Sequence, residues 1–395
     1  MLETTLIGLI LLTGLPAVLF CTYLGIASLL SGALKRPGRA GREMRFDVIV
    51  PAHDEAPVIA RCISSLRQLS WPEDRLRVTV IADNCKDATA AIALQLGARV
   101  LQRQDDSRRG KGYALQLAFE TSLREGWADA VVVVDADSEA SCNLLEAFAA
   151  GIASGAHAIQ AHYGVLNAWV SWRTRLMSIA QEAFHRVRSR ARERLGVSCG
   201  IRGNGWCVTR QLLQRVPYRA FCLAEDVEYG IELGLAGYRV HYADEASVHG
   251  EMVSSAQVAV RQRQRWEGGR SALRRSRTGP LLLAAIRRGS PVCLDLALDL
   301  LVPPLSQIAL MVAAFTLAAG LGWWWDPRLK PAFWIALAAG GVLWLYVLRG
   351  WQLSATGLRG LMDLARAPGF VLWKLIVVAR HREPQEWIRT QREQP

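Results

Sequence analysis

Two aspartates one residue apart, Asp135 and Asp137, follow an apolar run of four valines at 131–134. Carboxylates this close repel each other unless a cation lies between them. Hard divalent ions such as Mg²⁺ and Mn²⁺ bind carboxylate oxygens and share their coordination shell with substrate phosphates. Capping of the next helix would explain one of these aspartates, but it explains the pair poorly. The pair therefore predicts a site for a metal-bound diphosphate.

Carboxylates also follow two earlier apolar runs. Glu55 comes shortly after the run at 47–51, and Asp83 follows the run at 77–82. Short apolar runs that alternate with helical spacing indicate parallel strands covered by helices on both faces. Ligands of such sheets bind at the carboxyl ends of the strands. We therefore predict an α/β domain with a mostly parallel sheet, whose site collects these carboxylates at one edge.

Two further motifs contain charged residues that could take part in chemistry on a phosphate-bearing substrate. Lys111 lies between two glycines, in a loop that can approach a phosphate closely, although a solvated surface lysine would look the same. Asp226 follows Glu225 and opens a helical stretch at 227–235. A single carboxylate near an acceptor hydroxyl can act as its general base. A helix cap is the structural alternative for Asp226.

The motif QRQRW at 262–266 places Gln262, Arg265 and Trp266 on one face of a helix, because residues three and four apart are neighbours there. The arginine can hold a phosphate with two parallel hydrogen bonds. The tryptophan can stack on a sugar ring. An amphipathic helix at a membrane surface would show the same pattern.

Three more candidates come from less specific patterns. The loop GIRGNGWC at 200–207 contains Asn204 and Trp206, which are candidates for contact with an acceptor sugar. A plain structural turn explains the loop nearly as well. His249 follows a strand-like run and is a candidate metal or phosphate ligand, although a histidine of the core is the better interpretation.

Apolar stretches surround the polar domain. The first, at 6–30, has no charged residue and is long enough to cross a bilayer, and Glu3 before it argues against a cleaved signal peptide. Two more stretches follow at 296–323 and 332–348, with tryptophans near their ends. The apolar stretch at 370–379 is too short to span, which predicts an interfacial or re-entrant helix.

The net charge of +12 comes from 47 basic and 35 acidic residues, and the basic ones cluster beside the apolar stretches. This placement favours an anionic membrane surface, and no nucleic-acid motif is present. Positive flanks predict that residues 32–290 and the C-terminus are cytoplasmic, with the N-terminus outside the inner membrane. Asp295 and Asp299, near the second stretch, are expected to meet basic residues or to line an acceptor path. The eight cysteines form no C-x-x-C pair, which predicts reduced thiols.

Six motifs in this order resemble one family: VIVPAHDE at 48–55, ADNCKDAT at 82–89, RGKG at 109–112, DAD at 135–137, ED at 225–226 and QRQRW at 262–266. The chain resembles the family 2 glycosyltransferases. More narrowly, it is similar to the membrane-integrated branch that includes cellulose, hyaluronan, chitin-oligosaccharide and poly-N-acetylglucosamine synthases.

The resemblance implies a GT-A fold, a UDP-sugar donor, a hexosyl or N-acetylhexosaminyl transfer and inversion at the anomeric carbon. By the same resemblance, Glu55 and Asp83 would contact the uridine, and Lys111 would lie near the base or the diphosphate. Asp135 and Asp137 would bind the diphosphate and its Mg²⁺ or Mn²⁺. The QRQRW face would lie by the diphosphate and the acceptor terminus.

The sequence predicts five regions: an anchor at 1–32, the GT-A domain at 33–275, an interfacial helix at 276–292, two transmembrane helices at 293–350, and an interfacial or re-entrant helix with a basic tail at 351–395. The leading functional hypothesis is extension of a polysaccharide or oligosaccharide, with export or polymerisation proteins as partners. Transfer of one sugar to a lipid or polyprenyl acceptor is the alternative, and the small number of spans favours it. A non-catalytic nucleotide-sugar sensor and a transporter fit the motifs less well.

Overall fold

The computed structural model describes residues 2–252 and 256–369, with the backbone alone described at 2–6, 9 and 256–266. The helix expected at 370–379 and the basic tail after it lie outside the described residues. The first half of the described chain alternates strands with helices. Its strands are β1 (Phe46–Ala52), β2 (Leu76–Asp83), β3 (Arg99–Arg103), β4 (Ala130–Val133), β5 (Ser138–Ala140), β6 (Ala158–Val165), β7 (Trp206–Thr209) and β8 (His241–Gly250).

The α-helices begin with a long N-terminal helix and end beyond the second apolar region. They are α1 (Leu2–Leu29), α2 (Ile59–Arg67), α3 (Thr89–Gln95), α4 (Lys111–Glu125), α5 (Leu144–Ala153), α6 (Trp172–Gln181), α7 (Arg188–Arg194), α8 (Arg210–Arg215), α9 (Glu225–Leu235), α10 (Ala256–Arg288), α11 (Pro291–Leu301), α12 (Leu305–Trp325), α13 (Lys330–Leu353) and α14 (Gly357–Asp363). A π-helical turn, Glu182–Val187, joins α6 to α7.

The eight strands form one sheet in the order β3-β2-β1-β4-β7-β6-β8-β5. The half formed by β3, β2, β1 and β4 is parallel, and β6 also pairs with β8 in parallel. The pairings of β7 with β4 and β6, and of β5 with β8, are antiparallel. The expected α/β fold with a mostly parallel sheet is confirmed, and the antiparallel strand β7 gives it a mixed centre.

The sheet separates two apolar cores, as a period of two residues requires. Val132 of β4 faces the core formed with α2 and α5, whereas Val131 and Val133 face the core formed with α4 and α9. Both faces of the sheet are therefore apolar at its centre, and the candidate carboxylates Asp135 and Asp137 follow the end of β4.

Within the described residues, three helices are long and apolar enough to cross a membrane, at Ile10–Leu29, Leu305–Trp325 and Pro327–Leu353. They pack together through small and aliphatic side chains, including Ala17 and Leu343. The stretch expected at 296–323 is divided, because α11 ends before Pro303 and Pro304, which lack the amide hydrogens that a continuing helix needs.

The helix α10 runs without interruption across residue 275, where the sequence suggested a boundary between the catalytic domain and a separate interfacial helix. The expected interfacial segment at 276–292 is therefore the end of α10 and the start of α11. The two helices join the catalytic domain to the apolar helices, because their shared core also includes Ile231 of α9.

Candidate active site

A cavity of about 1080 Å³ begins where β1, β2 and β4 end and extends to α12 and α13. Its polar end is lined by side chains from loops that are far apart in the sequence. These side chains are Glu55, Asp83, Lys111, Asp135, Asp137, Glu225 and Asp226. The structure thus brings together the candidate residues of five separate motifs.

The loop after β4 carries Asp135 and Asp137 and is held by one buried amide. Asn204 accepts a hydrogen bond from the backbone N–H of Asp135 at 3.0 Å and donates one to Ser138 Oγ at 2.7 Å. The Ser138 hydroxyl donates to Asp137 Oδ1 at 3.0 Å. Asn204 therefore fixes the backbone of the first aspartate directly and orients the second carboxylate through Ser138.

Lys111 begins α4 and faces the acidic residues. Its ammonium lies 2.5 Å from Asp135 Oδ1 and 3.8 Å from Glu225 Oε1, and it donates to the Gly203 carbonyl at 2.8 Å. Gly112 permits this approach, because a Cβ there would collide with the backbone of the segment leading to α9. Burial alone would lower the pKa of Lys111, but the charges of Asp135 and Glu225 outweigh it and raise the pKa above its usual value.

Glu225 and Asp226 occupy the first turn of α9, where unbonded backbone N–H groups and the helix dipole favour negative charge. Burial nevertheless raises the pKa of Glu225 to about 7 and also raises that of Asp226, with Lys111 opposing both shifts. Gly203, at φ +91°, lies against Asp226: a Cβ at this glycine would be 3.3 Å from Asp226 Oδ2. A carboxylate with a raised pKa, facing a cavity, is suited to accept a proton.

The end of β2 forms the other side of the polar region. Asp83 accepts a hydrogen bond from Arg103 Nη1 at 2.7 Å, yet burial raises the pKa of Asp83 because it outweighs this ion pair. The backbone N–H of Glu55 donates to Thr89 Oγ1 at 2.8 Å, which fixes the loop after β1. Glu55 and Asp83 both line the cavity, and their contact with a uridine stays a prediction.

Two residues expected to contact an acceptor are buried instead. Asn204 has no exposed surface, because its amide is used to hold the loop after β4. Trp206, 1% exposed, packs in the core against Phe119 and Tyr229. The expectation that Asn204 and Trp206 touch the acceptor is therefore wrong for this structure, and both position the loop or the sheet.

His249 lies on β8 opposite Glu139 of β5 and stacks edge-on with His162 at 6.0 Å between ring centroids. Burial and the neighbouring His162 lower the pKa of His249, which disfavours the charged form of its ring. Among the described residues, the group of three potential metal ligands within 4.8 Å of one another is Asp54, Cys85 and Asp87, so the structure does not group His249 with the paired aspartates.

The residues of the QRQRW motif lie in α10, as the spacing predicted. The side chains of Gln262, Arg265 and Trp266 lie outside the described residues. Their roles beside the diphosphate and the acceptor therefore stay predictions.

Sequence reasoning missed three arginines that line the cavity: Arg188, Arg202 and Arg270. Their guanidinium carbons lie 4.9, 4.7 and 5.4 Å from the ring centroid of Phe184, in the π-helical turn. A signal was present, because arginine occupies every second position at 186–194. Only the fold shows which of these arginines face the cavity.

The far end of the cavity is apolar. Its lining comes from the break between α11 and α12 and from the facing sides of α12 and α13: Val302, Pro303, Leu305, Ile308, Leu343, Trp344 and Val347. The same open space thus touches the carboxylates of the catalytic domain and the side chains of helices that are long and apolar enough to cross a bilayer.

The polar end fits a divalent cation. Asp135, Asp137, Glu225 and Asp226 bring four carboxylates to a region where Lys111 pairs with Asp135 and Glu225, and the charge of Arg202 also reaches Asp226. Burial and the charges of Asp137 and Asp226 raise the pKa of Asp135 despite Lys111. Oxygen ligands with excess negative charge suit Mg²⁺ or Mn²⁺.

The family model described as "Glycosyltransferase like family 2" matches residues 44–269. The probable glycosyltransferase YdaM of Bacillus subtilis is 26% identical over 57% of this chain and 55% of its own length. Beta-monoglucosyldiacylglycerol synthase of Synechocystis sp. is 31% identical over 56% of this chain and 47% of its own length. The chain thus spans about half the length of the curated relatives it matches.

A similar fold occurs in the mannosyltransferase PcManGT of Pyrobaculum calidifontis, solved with GDP-Man and Mn²⁺. The two superpose with a TM-score of 0.51 at 18% sequence identity, over 89% of this chain and 99% of that one. The likeness extends past the catalytic sheet and establishes the GT-A fold.

Proposed function

The chain belongs to glycosyltransferase family 2, by the match over residues 44–269, and from this premise we propose that it transfers one sugar from a nucleotide sugar to a membrane lipid. The observation that carries the proposal is the cavity that joins Asp226 to the apolar side chains of α12 and α13. An acceptor with an apolar tail can lie between these helices while its polar head reaches the carboxylates.

Asp226 acts as the general base. An acceptor oxygen attacks the anomeric carbon, the bond from that carbon to the diphosphate oxygen breaks, and the electron pair leaves with the nucleoside diphosphate. The hydroxyl proton passes to the Asp226 carboxylate. A single attack from the face opposite the leaving group inverts the anomeric carbon, as the family resemblance implies.

The leaving diphosphate gains negative charge as the bond breaks. Lys111 lies where it can approach that charge, and its raised pKa keeps it protonated. Asp135 and Asp137 would hold Mg²⁺ or Mn²⁺, which when bound supplies positive charge beside the diphosphate. Glu55 and Asp83 would bind the nucleoside. UDP is the donor that the motifs imply, whereas GDP-Man is bound in PcManGT.

The three apolar helices would anchor the enzyme in the inner membrane, with residues 32–290 on the cytoplasmic side and the N-terminus outside. The Synechocystis relative is named as a synthase of a glucosylated diacylglycerol, which supports a lipid acceptor here.

Extension of a polysaccharide is the second candidate, and the QRQRW motif at 262–266 favours it. The cavity favours the lipid instead, because its apolar end is formed by aliphatic side chains that offer few hydrogen bonds to a hydrated glycan. Export or polymerisation partners would belong to this second function.

The decisive experiment uses the full chain in lipid nanodiscs with Mn²⁺. UDP-glucose, UDP-galactose, UDP-N-acetylglucosamine and GDP-mannose are supplied separately, and lipid and water-soluble products are analysed by mass spectrometry. We expect a lipid carrying one sugar, formed from one or two of the donors. A water-soluble polymer would overturn the proposal in favour of polysaccharide synthesis, and no sugar transfer from any donor would overturn both.

A further inference from the structure

The wall between the two ends of the cavity contains an unusual number of buried arginines. Arg188, Arg192, Arg202 and Arg270 all reach the carboxyl group of Asp299 on α11. The contact distances are 3.3 Å for Arg192, 3.4 Å for Arg202 and 3.1 Å for Arg270, and Arg188 donates to Oδ1.

The carboxylates of this wall do not balance its guanidinium groups. Besides Asp299, Asp295 binds Arg192 at 2.5 Å, and Glu267 also lines the cavity. In the described part of the chain, four buried or half-buried guanidinium groups converge on Asp299, and Asp295 and Glu267 bring the carboxylates of this wall to three. Buried charge without a counter-ion is costly, so a cluster with this excess is complementary to an anion.

The hydrogen bonds of the cluster are also incomplete. Arg188 Nε, Arg202 Nε and Arg202 Nη2 are buried and have no acceptor within hydrogen-bond distance. The side chains of both arginines are 3% exposed. A phosphate offers several oxygens to forked guanidinium donors, which is the pairing that arginine makes best.

The position of the cluster points to the acceptor rather than the donor. Arg202 immediately precedes Gly203, which lies against Asp226, and the charge of Arg202 acts on the pKa of Asp226. The Arg202 side chain contacts Phe184 and Asp299 of α11, the helix that ends next to the apolar lining residue Val302. An anion held there lies between the general base and the lipid tail.

The positive charges of the same arginines also act on the pKa of the neighbouring His185. Burial, followed by the charges of Arg202 and other cations, lowers the pKa of His185 well below its usual value. His185 lines the cavity and leaves Nδ1 without an acceptor or donor partner. The π-helical turn that carries His185 and Phe184 is a structure often found at functional sites.

We propose, on the basis of the lipid acceptor proposed above, that Arg188, Arg202 and Arg270 bind a phosphate group of that lipid. Two classes of lipid carry the required group. In a polyprenyl phosphate, a phosphate oxygen itself attacks the anomeric carbon. In a phospholipid with a head-group hydroxyl, the hydroxyl attacks and Asp226 takes its proton, while the arginines hold the adjacent phosphodiester.

The test uses the full chain in detergent micelles and two matched pairs of short-chain probes that differ in phosphate. Farnesyl phosphate is compared with farnesol, and dioctanoyl phosphatidylglycerol with dioctanoylglycerol. Equilibrium binding is followed by tryptophan fluorescence, and transfer is followed separately by release of the nucleotide. We expect the phosphate-bearing member of one pair to bind at least about tenfold more tightly, because charge-assisted hydrogen bonds favour it. The preferred pair identifies the class of lipid.

Arg270→Gln is the most informative variant, because this side chain is 20% exposed and its loss leaves three arginines on Asp299. It should remove most of the phosphate preference while the KM for the nucleotide sugar stays unchanged. Arg270→Lys should keep part of it. Arg186→Gln is the matched control: Arg186, in the π-helical turn, binds Asp244 at 3.1 Å and does not line the cavity.

Three results would overturn the inference: equal binding within both pairs, an equal loss in Arg186→Gln, or an effect of Arg270→Gln confined to the KM of the nucleotide sugar. The last result would assign the cluster to the donor. Transfer to an uncharged lipid, with no preference for phosphate-bearing lipids in binding, would overturn the inference and leave the proposed function intact. Phosphate-selective binding without transfer to any lipid would support the phosphate site and overturn the proposed function.

Discussion

The two ends of the cavity carry opposite excess charge. At the sheet end, Asp135, Asp137, Glu225 and Asp226 meet Lys111, whereas the wall near the apolar helices has four guanidinium groups and three carboxylates. At the acidic end, Asp135 and Asp137 follow β4, and Glu225 and Asp226 begin α9. The basic end is built by α7, α10 and α11 together with Arg202, which lies in the loop before β7.

This difference suggests that each end is completed by a charge that the chain does not supply. A cation would balance the acidic end, and an anion would balance the basic end. The reacting atoms would then meet between them, next to Asp226 and Gly203. Four predictions test whether the two ends differ in chemistry, or whether both are only structural ion-pair clusters.

The largest effect is expected from Asp226→Asn, which keeps the shape of the side chain and removes its ability to accept a proton. The turnover rate should fall about 10²- to 10⁴-fold, as for loss of a general base. The measurement is nucleotide release with a hydroxyl acceptor, and binding of the nucleotide sugar should be unchanged. Full activity in this variant would remove Asp226 from the mechanism.

Removal of divalent metal tests the acidic end directly. Treatment with EDTA should reduce transfer about a hundredfold or more, because charge on the leaving diphosphate loses several kcal/mol of stabilisation. Added Mn²⁺ or Mg²⁺ should restore it. Asp135→Asn should require a higher metal concentration for the same rate, and activity indifferent to chelation would refute the metal site.

Asp299→Asn tests the basic end through stability. The variant removes the carboxylate that four arginines share, three of them buried, so it should destabilise the fold by about 3–5 kcal/mol. The loss is measured as a lower melting temperature in detergent. Asp74→Asn, at an exposed pair with Arg75, should change the melting temperature little. Equal changes in melting temperature for the two substitutions would show that Asp299 contributes no more to stability than an exposed ion pair does.

The smallest effect concerns pH. With a pKa of about 7, Glu225 is mostly neutral below pH 7 and ionised above it. Its negative charge makes the neighbouring Asp226 a stronger base, so activity should rise a few-fold as pH increases through 7. Glu225→Gln should abolish this upper step of the pH profile. Persistence of the upper step in the variant would assign it to another group.

Much of the catalytic half was predictable from local sequence. Strands β1, β2 and β4 were located to within a few residues, because buried parallel strands are short apolar runs. The candidate carboxylates followed, since ligands of these sheets lie after the strands. Strands β5, β6 and β7 were not predicted: β5 and β7 are short, and all three pair with segments distant in the chain.

The candidate acceptor residues show the limit of such reasoning. Asn204 and Trp206 have side chains suited to a sugar, yet Asn204 holds the loop after β4 and Trp206 packs beneath the sheet. Side-chain type alone cannot distinguish these uses, because burial depends on which strand lies next to β7.

The sequence by itself determined the class of fold, the order of the catalytic motifs and the stretches apolar enough to cross a membrane. Each of these depends on residues close together in the chain, whose spacing sets periodicity and loop chemistry. Only the tertiary structure decided that Arg188, Arg202 and Arg270 meet Asp299 beside the cavity, and that the cavity joins Asp226 to α12 and α13. The physical reason is that these contacts join segments up to 111 residues apart, as between Arg188 and Asp299, and no local pattern specifies them.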